Sequence, residues 1–217
     1  MINDIDKFER LIRDYVQQNA DQGDPAHDFE HFCRVVYSAK KLAKAEGARL
    51  EVVMPAAWLH DLVNVPKNDP RRKMASRLSA EAAKKYLQSI EYPDIYIPDI
   101  VHAIEAHSYS AQIDTRSLEA DIVQDADRLD GLGAIGIARV FAVGGLLKRP
   151  LYCSVDPFAE TERQLDDLNY TIDHFYVKLF KVSETLKTKS GRVEGKKRVD
   201  FMRLFLDQLK NHELSHR

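Results

Sequence analysis

Ala56-Ala57-Trp58-Leu59-His60-Asp61 sets an imidazole and a carboxylate at the end of a strongly apolar run. Burying such groups among aliphatic and aromatic side chains is costly unless they are paired or bound to a cation. The chain around this run is dominated by helical period. Apolar residues recur at spacings of three and four in Ile5, Phe8, Leu11, Ile12 and Tyr15, and again in Phe32, Val35, Val36, Ala39, Leu42 and Ala43. Val199, Met202, Phe205, Leu206 and Leu209 repeat the pattern near the C-terminus. No alternating stretch bounded by turn residues argues for a strand. The expected fold is all-α, a bundle of about eight or nine helices forming one domain over residues 1–217.

Turn chemistry places the expected breaks. Residues 21–25 separate the first two helices, and Gly47 closes the second. Residues 66–70 end the helix carrying Trp58, while Pro93 and Pro98 bracket the start of a helix through His107. Asp156-Pro157 suits the opening of another helix, and Gly191 and Gly195 are expected to separate the last two helical stretches.

Composition narrows the class of function. Of 217 residues, 44 % are apolar and 30 % charged, with a net charge of −2. That balance describes a globular protein with no global attraction to nucleic acid or anionic lipid, so an anionic ligand needs a local basic cluster. Cys33 and Cys153 are too few for a disulfide framework. The N-terminus has no basic and apolar leader, and the apolar stretch 129–147 is broken by Asp130 and Arg139. A cytoplasmic protein with no membrane span and no stable nucleic-acid partner is expected.

Residues that bind metals gather in four places: His27-Asp28-Phe29-Glu30-His31, His60-Asp61, the interval from His102 to His107, and Asp125-Ala126-Asp127. Two neutral imidazoles with two carboxylates neutralise a divalent cation, and a mixed nitrogen and oxygen set suits six-coordination. Two positions then remain for water and a substrate oxygen, a geometry that favours attack on phosphorus. Asp125, Asp127 and Asp130 all compete for the last carboxylate position. His102 and His107, five residues apart, lie about 140° from one another around a regular helix and are poorly placed to share an ion.

The order His, His-Asp, Asp resembles the HD-domain metal-dependent phosphohydrolases. The matching text is Asp28-Phe29-Glu30-His31-Phe32-Cys33-Arg34-Val35, Leu59-His60-Asp61 and Gln124-Asp125-Ala126-Asp127-Arg128-Leu129-Asp130. Further stretches, Ala106-His107-Ser108-Tyr109-Ser110, Gly133-Ala134-Ile135-Gly136-Ile137-Ala138-Arg139 and His174-Phe175-Tyr176-Val177-Lys178-Leu179, look like a bacterial subgroup of small, stand-alone HD hydrolases. The resemblance covers most of residues 20–205. It implies a helical bundle with His31, His60, Asp61 and Asp127 on one divalent ion, manganese favoured over magnesium, nickel, cobalt, iron or zinc. It also implies hydrolysis of nucleoside or deoxynucleoside triphosphates to monophosphate and pyrophosphate. Asp130 and Asp28 are expected to support the ligands from behind, Asp28 by orienting an imidazole.

Substrate contacts are expected nearby. Lys67 and Arg72, in a run with four cations after the His-Asp pair, suit a polyphosphate clamp, and Lys148-Arg149 forms a second basic pair. His107 is the expected phosphate contact or proton donor, with His27, one turn before His31, as a further substrate contact. Glu81 or Glu105 would assist the attacking water. Gly131-Leu132-Gly133-Ala134-Ile135-Gly136 matches a dinucleotide-binding pattern, but without a preceding strand it indicates close packing. Phosphomonoesterase, cyclic-nucleotide phosphodiesterase and a non-catalytic nucleotide-binding module are the competing readings, and the sequence allows a homodimer.

Overall fold

The computed structural model describes residues 4–19, 28–65 and 69–214. The expected break at 21–25, His27 and Lys67 lie outside the described residues. Among the described residues there are nine α-helices and no strand, so the fold is all-α as the periodicity predicts. The chain forms two compact units, residues 1–127 with 187–191, and residues 128–186 with 192–217.

The first unit contains α1 (Ile5–Asn19), α2 (Phe29–Glu46), α3 (Leu50–Leu59), α4 (Ala75–Ser89), α5 (Ile97–His107) and most of α6 (Leu118–Asp130). At its centre is α3, whose residues from Val52 to Leu59 are all buried, against α1, α2 and α5. A helix apolar on every side has no solvent face to present and becomes the core. Pro55 sits inside it. Proline has no N–H, so the carbonyl of Glu51 one turn earlier loses its helical donor. The hydroxyl of buried Tyr92 donates to that oxygen instead, at 2.6 Å. Elsewhere the turn chemistry acts as expected: Gly47 ends α2 with φ +73°, and Pro98 stands in the first turn of α5.

Three expectations about breaks need correction. The helix carrying Trp58 stops at Leu59, well before Pro66, with His60 as its cap. Gly191 and Gly195 do not separate helices, because α9 runs unbroken from Lys189 to Leu214. A Cβ at Gly191 would meet Asp125 Oδ2 at 2.4 Å, and one at Gly195 would meet Leu186 Cδ1 at 2.2 Å. Both glycines admit neighbours rather than end the helix. Asp156-Pro157 opens no helix either. Its carboxylate accepts from the Glu160 N–H at 3.0 Å and from Thr161 N–H and Oγ1 at 3.1 and 2.7 Å, which closes a turn.

Asp125 is fully buried and anchors residues 187–191 in the first unit. It accepts from the N–H groups of Lys187 (2.9 Å) and Thr188 (2.8 Å) and from the Thr188 hydroxyl (2.8 Å). The second unit holds α7 (Gly133–Leu146), a π-helical turn (Phe175–Leu179), α8 (Phe180–Glu184) and the remainder of α9. Phe141, Phe175, Phe180 and Phe205 stack edge and face within it. In the glycine run, a Cβ at Gly136 would meet the Gly131 carbonyl at 2.2 Å, so close packing is what the run serves.

Tyr92→Phe leaves the Glu51 carbonyl buried without a donor, which costs about 1–3 kcal/mol. Urea denaturation should show that loss with an unchanged slope; full stability would remove the hydroxyl as the partner of the proline-broken helix.

Candidate metal centre

Each imidazole of the centre is placed by a local device. Asp28 caps α2, its carboxylate accepting from the His31 N–H at 2.8 Å, which fixes His31 in the first turn. Asp28 therefore acts on the His31 backbone and does not orient an imidazole ring as expected. His60 follows the last turn of α3, and its Nδ1 donates to the Ala57 carbonyl at 2.8 Å. His107 ends α5 in the same way, Nδ1 donating to the Ile104 carbonyl at 2.6 Å. A carbonyl oxygen only accepts, so in both neutral rings Nδ1 carries the hydrogen and Nε2 presents a lone pair.

These nitrogens converge with two carboxylates. His31 Nε2 lies 3.2 Å from His60 Nε2 and 3.6 Å from Asp127 Oδ1, and His60 Nε2 lies 3.9 Å from that same oxygen. Asp61 Oδ2 is 3.8 Å from His60 Nε2, while Asp61 Oδ1 is 3.3 Å from His107 Nε2. Two triads result, His31–His60–Asp127 and His60–Asp61–His107, sharing His60. Adjacent donors on a six-coordinate ion with bonds near 2.1 Å stand about 3 Å apart, so the observed separations suit a divalent cation after small adjustments. The histidines are buried, whereas the Asp61 and Asp127 side chains are 24 % and 29 % exposed. Imidazoles form the floor and carboxylates the rim.

Charge supports the same fit. Burial pushes His60 down to about 4, against the pull of Asp61 and Asp127, so it stays neutral and cannot balance those carboxylates. Burial also works against His107, but the hydrogen bond and charge of Asp61, helped by Asp127, overcome it and raise that ring to about 8. The donor set is thus two carboxylates, a neutral His60 and a His107 that gives up its proton near 8, a set that suits a hard or borderline divalent ion.

The structure sorts the remaining expected residues. Asp125 spends its carboxylate on residues 187–188, so it does not compete with Asp127. Asp130 accepts from Arg139 Nη1 at 3.0 Å. His102 stands apart from His107, as its spacing predicts, and accepts the Arg116 N–H at 2.9 Å. Arg72 lies on the turn Pro70–Met74 and donates from Nη1 to the Val65 carbonyl at 2.6 Å, closing the loop after Asp61. Glu81 is on the exposed face of α4, whose buried face is Ser76, Ser79, Ala80, Ala83 and Leu87. It is absent from the ligating groups among the described residues. Sequence reasoning missed Gln124, whose Nε2 donates to the Ala106 carbonyl at 2.7 Å and ties α6 to α5 beside His107. A buried-position amide three residues before Asp127 was its only signal.

A helical unit with a histidine and aspartate cluster of this order defines the metal-binding hydrolases of the HD class. The HD domain family model matches residues 28–132. YpgQ of Bacillus subtilis is 30 % identical over 207 residues, covering 94 % of this chain and 92 % of that protein. The chain belongs to the HD-domain family. The structure of B. subtilis YpgQ in complex with ADP matches with a TM-score of 0.74 at 30 % identity, covering 95 % of each chain. An HD-superfamily hydrolase from Bacillus thuringiensis matches with a TM-score of 0.75 at 26 % identity, over 95 % of this chain and 97 % of that one. HD domains bind divalent metals. Among the described residues, no single helix is long and apolar enough to cross a membrane.

A cation among these groups displaces the His107 proton, because like charges oppose one another. Below about 8 the proton competes and above it does not. Manganese affinity should therefore rise roughly tenfold per pH unit from 6 towards 8, then level off. Titration calorimetry at pH 7 in buffers of different ionisation heat should report about one proton released. Heats independent of the buffer would count against the coupling.

Proposed function

We propose that this chain is a metal-dependent nucleotide phosphohydrolase, releasing pyrophosphate from nucleoside or deoxynucleoside triphosphates. The observation that carries the reading is the pair of triads sharing His60, in which His31 and Asp127 lie 3.2 and 3.9 Å from its Nε2 and Asp61 lies 3.8 Å from it, floored by buried imidazoles and open along a carboxylate rim. These four hold one divalent ion, manganese by preference. When bound, the ion supplies Lewis acidity to a phosphoryl oxygen and lowers the pKa of water. Support for a nucleotide comes from the YpgQ structure, which holds ADP.

The chain's own groups divide the remaining work. The carbonyls of Ala57 and Ile104 keep Nε2 of His60 and His107 aimed at the centre. His107 moves a proton at that nitrogen: it accepts one from the attacking water and returns it to the leaving phosphate oxygen. Asp61 holds His107 in line through the contact at 3.3 Å. Arg72 keeps one edge of its guanidinium on Val65 and offers the other to phosphate oxygens. His27 and Lys67, outside the described residues, remain part of the proposed clamp. The exposed position of Glu81 gives it no part in this scheme.

Two variants separate holding the ion from moving the proton. Asp127→Ala should lose bound metal and turnover while keeping the helical circular-dichroism signal. His107→Gln should retain much of the metal and lose roughly 10²–10⁴-fold in kcat. Chromatography of products from a nucleoside triphosphate panel with manganese should give monophosphate and pyrophosphate. Orthophosphate alone would replace this reading with a phosphomonoesterase, and full activity of Asp127→Ala would remove that residue from the centre.

A further inference from the structure

The second unit contains another oriented imidazole. Asp173, almost fully buried, accepts from Arg163 Nη1 and Nη2 at 2.7 and 3.0 Å and from the Asp166 N–H at 2.7 Å. These bonds fix the two strands of chain in register. The next residue on each side then meets its counterpart: His174 Nδ1 donates to Asp167 Oδ2 at 2.8 Å. A carboxylate accepts, so Nδ1 holds the hydrogen and Nε2 keeps its lone pair. The two side chains are 26 % and 27 % exposed, within reach of a solute.

Two cations stand beside this ring without a commitment of their own. Lys178 lies on the π-helical turn that follows His174, and burial first, then the charges of Lys178 and Arg149, push the imidazole's pKa down against the pull of Asp167. Arg149 is held there by its neighbours, since the Thr171 N–H and hydroxyl donate to the Pro150 carbonyl and the Ile172 N–H to that of Leu151. Among the described residues, neither the Lys178 ammonium nor the Arg149 guanidinium is hydrogen-bonded or ion-paired. Nor does the end of α7 need them as caps. The N–H groups of Lys148 and Arg149 already satisfy the carbonyls of Gly145 and Gly144, at 3.0 and 2.9 Å. Lys148 adopts φ +54°, a conformation usually given to glycine, so the turn carries a cation at some backbone cost.

We propose that His174, Lys178 and Arg149, with Asp167 orienting the ring, form a binding site for a phosphoryl anion of the pyrophosphate or nucleoside polyphosphate class. Nε2 accepts a hydrogen bond from a protonated phosphate oxygen, and the two cations neutralise the charge on the others. Asp167 is a positioning residue, since it touches only the imidazole. The site needs no metal, which sets it apart from the reading of the metal centre.

Titration calorimetry of inorganic pyrophosphate into the full chain, with EDTA present and ionic strength fixed, tests it. Saturable binding is expected, weakened about tenfold or more by Lys178→Gln and by His174→Gln, and about threefold by Asp167→Asn. Lys178 is exposed, so its variant reports on binding even if His174→Gln melts early. Competition by ADP marks a nucleotide's phosphates as the ligand; its failure, with pyrophosphate still bound, marks the free anion, and either outcome supports the site. No binding by the wild type, equal affinity of Lys178→Gln, or displacement by adenosine would overturn it. Manganese content of each variant, measured separately, should match the wild type. Pyrophosphate binding without nucleotide turnover would count against the hydrolase reading alone.

Discussion

An imidazole that spends its Nδ1 hydrogen on the backbone has one direction left in which to act. His60 and His107 both do so, each on the carbonyl three residues before it, and the centre depends on that choice. It leaves Nε2 as the nitrogen that faces the centre, a lone pair in neutral His60 and the site of the displaceable proton in His107. It also lets two rings at the ends of different helices be aimed by those helices rather than by further side chains. Had either ring carried its hydrogen on Nε2 instead, the same residues would stand in the same places with an N–H, not a lone pair, facing a cation.

Burial adds the second constraint. His60 is wholly enclosed and held neutral, while Asp61 and Asp127 keep part of their surface in water. An interior with charged groups on only one side is expensive. The arrangement places the expense at the rim, where solvent relieves part of it and where a substrate would approach. The apolar helix α3 makes this workable, since it brings His60 to the edge of the core with every residue from Val52 to Leu59 buried.

Much of this was legible in the sequence. The period of the apolar residues gave the helices, and the His-Asp pair at the end of an apolar run marked the centre. Two kinds of information were not. The resemblance selects Asp127 over Asp125 but says nothing of what Asp125 does, and only its partners, more than sixty residues away in sequence, assign it to anchoring. Gly191 and Gly195 read as breaks because a lone sequence does not reveal what approaches a missing Cβ. Once Asp125 and Leu186 are seen against them, the same glycines read as clearance. Glu81 stands on the exposed face of α4, a placement set by which stripe of that helix meets the core and not by its spacing.

The bond between Tyr92 and Glu51 has a consequence for how the protein forms. Pro55 breaks the internal ladder of α3, and the repair comes from a hydroxyl 41 residues further along the chain. Until that stretch returns, only water can serve the Glu51 carbonyl, so full burial of the helix waits on a long-range contact. The end of that helix is where His60 stands. Completion of the histidine floor is thereby coupled to a long-range closure, and a half-folded chain presents only a fraction of the mature set of candidate donors.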